Sequence, residues 1–522
     1  MEVIKESYIE IHTASGDLPY NTVNEGEFFG LFTIKLNKTP MRLIPFHFVF
    51  TIDTTLSMSE SNDGSTSKMV YMQKTMIGML KYLNDVDPNV YITINTFNTK
   101  VNTIVNDILL SYGSIQFLIG KINDLIPDSS TNIQLAMEYS NKIISRNLDK
   151  YPTHQHTYIF MTDGNANIGI TNPDTLANLI NETISNIFIG FGKDHNSEML
   201  RKFSKKQNTE YYFVDNLENA SLVYAESIHN ILYGALQNVE FRIADGQLYD
   251  YETNRWTSVL YENVLSSECS KYYQLKTKDK VNVEIKILGK NISSQDIENG
   301  DNGSEISIID TVRVLPVLFN SATVDLLTIA PGATVFDLRP GAKSDLDDDD
   351  EYLPVDLTKY AYRKKVQELM FLAKNKDLSY DETDIFQDYY SPDDSANIKK
   401  NLKDVFKAIQ NYMKENDLTE DGLLKMLCED IYVTNKAINS SDSKMYVSAR
   451  QTSQGRQRSY NVGKTVDYNN LTMPRLRRQN TDLDEYTMEN NTTTCFASPT
   501  MVDTFNDVTI CTQDLGSSMQ EE

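Results

Sequence analysis

The stretch Ile44–Ser59, IPFHFVFTIDTTLSMS, decides how the rest of the chain is read. Its apolar run Phe46–Ile52 has the length and the β-branched, aromatic content of a buried strand. The run ends abruptly in Asp53, Thr55 and Ser57, so a buried strand delivers three hard oxygen groups to one rim. In open parallel sheets, ligands bind at the carboxyl ends of the strands, where the next helix adds partial positive charge and amide donors. One carboxylate and two hydroxyls suit Mg²⁺, Mn²⁺ or Ca²⁺, but they are too few and too neutral to hold one alone. Two later segments carry the missing chemistry: Ser129–Ile133, SSTNI, opening a helix with Thr131, and Tyr158–Gly164, YIFMTDG, a second apolar run ending in Asp163.

In this order the residues resemble the von Willebrand factor type A (vWA) domain with its metal-ion-dependent adhesion site. The family pattern is Asp-x-Ser-x-Ser after the first strand, a Thr in a Thr-Asn loop, and Asp-Gly after the fourth strand. Asp53-x-Thr55-x-Ser57, Thr131-Asn132 and Asp163-Gly164 are similar to it, over about residues 43–235. Thr55 stands where the pattern has its first Ser, keeping the hydroxyl and adding a methyl. The resemblance implies a Mg²⁺ or Mn²⁺ ion held by Thr55, Ser57 and Thr131, with Asp53 and Asp163 bonded directly or through water. It also implies an open position for an Asp or Glu of a partner protein.

Taken singly, each piece has a plainer explanation. Asp53 and Asp163 suit turns at strand ends. Thr131 begins Thr-x-x-Gln, a capping box closed by Gln134, which would account for it by helix capping alone. His154 and His156 precede the fourth strand at the rim opposite Asp163 and read as surface histidines.

Outward from this centre, Met69, Met72, Met76, Leu80 and Leu83 recur at helical spacing. Strands and helices then alternate as far as Ile228, predicting a doubly wound, mostly parallel sheet over residues 43–235. Residues 1–42 read as short strands that pair with a β-sandwich at 236–340, where the apolar period changes to two (Val239, Phe241, Ile243; Val281, Val283, Ile285, Ile287). An acidic linker at 341–356 contains DLDDDDE, which lacks the Gly and closing Glu of a calcium loop. Gly463-Lys464-Thr465 likewise lacks the upstream Gly of a phosphate loop. Three apolar stripes predict a small helical domain at 357–440. Residues 441–522, polar and aperiodic on average, are expected to be a disordered tail. Its basic stretch, Arg450, Arg456, Arg458, Lys464, Arg475, Arg477 and Arg478, is expected to be solvated or to rest on the protein's own acidic body. The segments Thr419–Asp430 and Ser448–Tyr460 also resemble a carboxyl-terminal region that accompanies vWA domains and was first noted beside hedgehog and intein modules.

Composition narrows the function. With 49 basic and 73 acidic residues the formal charge is -24, which repels phosphate backbones, so no nucleic acid is expected as partner. No run of eighteen apolar residues predicts a membrane span, and the charged start MEVIKESYIE is unlike a signal peptide, so an intracellular location is expected, or a virion if the source is viral. The wording, rich in Asn, Ile, Tyr and Lys, resembles proteins of amoebae or of their large DNA viruses. Four scattered cysteines, Cys269, Cys428, Cys495 and Cys511, form no CxxC pair, excluding a RING module or a disulfide framework. No Ser-His-Asp order, HExxH helix or paired carboxylates accompany the site segments, so the expectation is a metal-dependent protein-binding module and not an enzyme. The alternatives are a substrate-recruiting scaffold in a ubiquitin-type pathway and a structural vWA scaffold without metal.

Overall fold

The computed structural model describes residues 8–14, 18–20, 23–24, 26–60, 67–86, 89–192, 195–214, 217–278, 283–292, 307–314, 317–318, 356–375, 395–438, 443–459, 483 and 495–518. Two strands, β1 (Tyr8–Ala14) and β2 (Phe28–Lys35), precede β3 (Phe46–Asp53), which is buried over its whole length. An unbroken apolar run, and not an alternating one, is what a strand covered on both faces requires. After it come α1 (Lys68–Asp85), β4 (Val90–Phe97), β5 (Val101–Leu109), α2 (Ile115–Asn123), α3 (Ile133–Lys150) and β6 (Gln155–Thr162). The layer closes with α4 (Pro173–Ala177), β7 (Ser185–Phe191), α5 (Ser197–Phe203), β8 (Thr209–Val214) and α6 (Leu217–Leu232).

These strands form a six-stranded sheet in the order β5-β4-β3-β6-β7-β8, parallel except for the antiparallel edge pair β4–β5. The doubly wound, mostly parallel sheet is therefore present. From β3 the chain winds outward to β4 and then crosses to β6, so the topological switch lies between β3 and β6. Their register, Ile52 beside Met161, brings Asp53 and Asp163 to the same crevice at the carboxyl rim. The methionine stripe of α1 is core: Met69, Met72, Met76, Leu80 and Leu83 are all buried.

Eight further strands follow: β9 (Gly234–Ala244), β10 (Gly246–Asp250), β11 (Arg255–Thr257), β12 (Val259–Ser266), β13 (Ser270–Thr277), β14 (Val283–Asn291), β15 (Ser307–Val314) and β16 (Val317–Leu318). One sheet runs β11-β10-β13-β2-β1-β16 and the other β12-β9-β14-β15. The amino-terminal strand β2 lies antiparallel to β13 along its full length. Phe32, Ile34, Val239, Phe241, Tyr273, Leu275, Ile285 and Ile287 fill the space between the two sheets. The acidic run 345–351 and Gly463-Lys464-Thr465 lie outside the described residues.

Four helices, α7 (Leu357–Asn375), α8 (Ser395–Glu415), α9 (Gly422–Ala437) and α10 (Ser443–Gly455), pack on one another, and α7 lies on β2 and β13. The last helix, α11 (Pro499–Ser518), packs on α1 and α6. The stretch 441–522 is therefore corrected: it contains α10 and α11 and is not a disordered tail throughout. Met501, Phe505 and Val508 are buried at helical spacing, a short stripe that averaging over eighty polar residues hides. The basic residues are also placed. Arg456 Nη1 and Arg458 Nη2 each donate to Glu210 at 2.7 Å, and Arg458 Nη1 donates to the Tyr211 carbonyl at 2.7 Å. Charge pairing with the body orders a segment too polar to fold by burial alone; Lys464, Arg475, Arg477 and Arg478 lie outside the described residues. Among the described residues, no helix is long and apolar enough to cross a membrane.

Candidate metal centre

Three loops meet where β3 and β6 end. The loop after β3 is stitched to the one before α3 by the Asp128 amide donating to the Thr54 carbonyl (2.7 Å) and the Leu56 amide donating to the Ser129 carbonyl (3.1 Å). Ser129 takes a φ of +68°, left-handed backbone that costs a serine energy and that the surrounding bonds must hold. The loop after β6 is tied to Thr131 from both sides. Asn167 Oδ1 accepts the Thr131 amide at 2.9 Å, while the Asn167 and Ile168 amides donate to the Thr131 carbonyl at 3.1 Å.

Within this frame the side chains form one chain of hydrogen bonds. Asp53, fully buried, accepts the Thr55 amide on Oδ1 (2.9 Å) and the Thr162 hydroxyl on Oδ2 (2.6 Å). Ser57 Oγ donates to Asp163 Oδ1 at 2.7 Å. Having given its one proton there, Ser57 accepts from the Thr55 hydroxyl 3.1 Å away. Thr131 reaches the same place: a Cβ on Gly164 would lie 3.4 Å from Thr131 Oγ1 and 3.8 Å from Ser57 Oγ. Gly164 thus leaves open the space between the two hydroxyls.

Burial, and then the neighbouring Asp163 charge, push the Asp53 carboxyl up to about 6, against the hydrogen bonds from Thr162 and Thr55. A cation beside such a buried carboxyl would favour its charged form.

All five residues expected at the site, Asp53, Thr55, Ser57, Thr131 and Asp163, therefore come to one rim. The capping explanation of Thr131 is corrected. The cap of α3 is Asn132, whose Oδ1 accepts the Leu135 amide at 3.0 Å. Gln134 instead accepts the Ile170 amide (2.8 Å) and donates to Glu138 (2.8 Å). The hydroxyl of Thr131 is left to the site.

Two residues were not legible as site residues. Asn167 positions Thr131, and only the fold shows that its loop doubles back on α3. Lys68, the first residue of α1, is 2 % exposed and places Nζ 2.9 Å from Asp163 Oδ2 and 3.4 Å from Glu60 Oε2. The one sequence sign was a cation in the first helical turn, where acids are favoured.

In kind, the donors fit a hard divalent cation: hydroxyls of Thr55, Ser57 and Thr131 with carboxylates of Asp53 and Asp163, all oxygen, at one rim. Among the described residues, this rim included, no group of three or more His, Cys, Asp or Glu side chains is placed to hold a metal ion, so coordination here would fall largely to the hydroxyls.

The histidines at the other rim are corrected as well. His156 is 3 % exposed and stacks on His47, itself fully buried, with ring centroids 5.5 Å apart; His154 is half-buried beside them. Burial, together with the His156 charge, pushes His47 down to about 4. An unfolded histidine titrates near 6.5, so between these values the unfolded chain binds more protons and stability falls as pH falls. We expect acidification from pH 7 to 5 to destabilise the wild type by about 2 kcal/mol more than His47→Gln, measured by urea denaturation. Asp53 acts in the opposite sense but is common to both proteins. An equal pH dependence would refute the assignment.

Residues 48–226 match the family model described as the von Willebrand factor type A domain. Among solved structures, the chain is similar to a von Willebrand factor type A structure from Catenulispora acidiphila, at 11% identity over 86% of this chain and 95% of that one, with a TM-score of 0.49. It is similar to the ArnB paralog VWA2 from Sulfolobus acidocaldarius at 12% identity over 86% of this chain and 98% of that one, TM-score 0.43. A third likeness is proximal thread matrix protein 1 from the mussel byssus, with a zinc-occupied MIDAS motif, at 16% identity over 36% of this chain and 46% of that one, TM-score 0.28. A comparison with curated proteins finds no match. The chain thus carries a vWA-type α/β domain, a module that commonly mediates protein–protein interaction.

Proposed function

We propose that the vWA-type domain is a metal-dependent protein-binding head. Thr55, Ser57 and Thr131 would hold Mg²⁺ or Mn²⁺ by their hydroxyls, with Asp53 and Asp163 bonded directly or through water, and an Asp or Glu of a partner protein would complete the shell. The observation that carries this reading is the hydrogen-bonded run Thr55–Ser57–Asp163, facing Thr131 across the space that Gly164 leaves open. A bound cation would supply a strong charge-assisted bond to the incoming carboxylate, because hydroxyl ligands leave it electron-poor.

The chain's own residues prepare that bond. Asp53 fixes the turn carrying Thr55 through its amide, Asn167 fixes the peptide of Thr131, and Thr162 bridges Asp53 to the Gly164 amide at 3.2 Å. Rigid support of this kind keeps ligand geometry independent of the partner.

A second reading, a vWA scaffold that works without metal, is favoured by one contact: the Lys68 ammonium already compensates Asp163. Calorimetric titration of chelator-treated protein with Mg²⁺ and Mn²⁺ separates the two. Saturable binding that disappears in Asp163→Asn and weakens in Asp53→Asn is the expected result. Heat that does not saturate, or binding indifferent to both substitutions, would leave the scaffold.

A further inference from the structure

We infer that Lys68 is a built-in cation of this cradle, resting on Asp163 when no divalent ion is bound and withdrawing to Glu60 when one enters, so that the site works by exchanging cations. The inference rests on the reading of the cradle as a metal site and adds how that site is regulated.

Both carboxylate oxygens of Asp163 are engaged by its own chain: Ser57 donates to Oδ1 at 2.7 Å and Lys68 to Oδ2 at 2.9 Å. The pair is dry, with Lys68 2 % and Asp163 0 % exposed at the side chain. Lysine is almost never fully buried unless paired, and helix preference does not explain this one. Lys68 opens α1, where aligned peptide dipoles place partial positive charge and disfavour a cation. Neither burial nor helix preference favours a lysine at position 68; Asp163 does. A rule of local structure broken at one residue, with its compensation at the candidate site, marks a residue kept for that site.

A divalent ion bound to Asp163 beside this ammonium would set like charges a few ångströms apart in a pocket with little water to screen them. Metal entry is therefore linked to departure of Nζ, and the structure provides a destination. Glu60 Oε2 lies 3.4 Å from Nζ on a side chain 64% exposed, at the mouth of the cradle. The Lys68 amide donates to the Glu60 carbonyl at 2.9 Å, pinning the two backbones together. Rotation about the lysine side-chain bonds exchanges a buried carboxylate for a solvated one without moving α1.

This arrangement has two consequences. Metal-free protein leaves no uncompensated Asp163, so it folds stably without a divalent ion. The wild type also binds metal more weakly than its oxygen donors alone would, keeping the head empty until metal, or metal and a partner carboxylate together, displace the lysine.

The test is calorimetry with Mn²⁺, paired with thermal melts in chelator and in Mn²⁺, on the full chain. Lys68→Met is expected to bind Mn²⁺ at least about tenfold tighter than wild type. Its melting temperature should fall in chelator and recover in Mn²⁺, while the wild type moves little. If Lys68→Met does not fold in chelator, Lys68→Gln, neutral but still able to donate to Asp163, takes its place in the same comparison. Glu60→Gln should weaken binding in the wild type and have no effect on top of Lys68→Met, because Glu60 acts through the lysine. Lys81→Met, which removes the same charge elsewhere on α1, should change affinity less than about twofold. Saturable wild-type binding that Lys68→Met leaves unchanged or weakens would overturn the exchange while the metal site stands. Absence of binding in wild type and in folded Lys68 variants alike would overturn the metal reading and this inference with it.

Discussion

Asp163→Ala is expected to lose about 3 kcal/mol of folding stability, read as a lower urea midpoint at unchanged slope, together with all divalent binding. Removing one partner of a buried ion pair costs about 3–5 kcal/mol, because the other charge stays in a dry site. The lower end applies here, since Lys68 has the exposed Glu60 carboxylate 3.4 Å away as a refuge. Lys68→Met on top of Asp163→Ala should restore most of the loss, as replacing both partners by apolar groups is close to neutral. A stable Asp163→Ala protein would mean that Glu60 or another partner compensates Lys68 without Asp163.

The second large effect concerns the helical layer. Arg450→Met is expected to destabilise the protein by about 3–5 kcal/mol. Arg450 Nη1 lies 2.9 Å from Asp430 Oδ1, joining α10 to α9, with side chains 0% and 1% exposed. Without the guanidinium, the Asp430 carboxylate remains in the interior of the layer. Trp256 is the single tryptophan, and the Lys364 ammonium of α7 lies 5.5 Å from its ring centroid, so its fluorescence reports on the docking of this layer. The expected outcome is a Trp256 transition at lower urea than in wild type. Coincident transitions would show that Asp430 finds another partner.

These effects fall on residues of different visibility. The oxygen donors were legible because each is a polar residue at the end of an apolar run or the start of an amphipathic one, and such junctions are local. Lys68 was not, since nothing within a few residues distinguishes it from a lysine at the start of any helix; its meaning lies in a carboxylate 95 residues away. Thr131 was legible but ambiguous. A capping box and a ligand use the same hydroxyl, and the choice fell to Asn132, which caps α3 and leaves that hydroxyl to the cradle.

The carboxyl-terminal segment shows the converse failure. Its average composition is that of a chain too polar to fold alone, yet Arg456 and Arg458 meet Glu210 of β8, and Met501, Phe505 and Val508 meet α1 and α6. Order there is conferred by an acidic, apolar surface built from elsewhere in the chain.

By itself, then, the sequence determined the element types as far as the helical layer's third stripe, the doubly wound winding of the vWA-type domain and the kind of donor at its rim. Side-chain period, run length and hydrogen-bonding chemistry are properties of neighbouring residues. Tertiary structure alone decided that Asn167 brackets Thr131 and that a lysine already occupies Asp163. It also decided that His47 and His156 stack out of water. Each depends on contacts between segments tens to hundreds of residues apart, where burial removes the water that would otherwise screen a charge or satisfy a polar group.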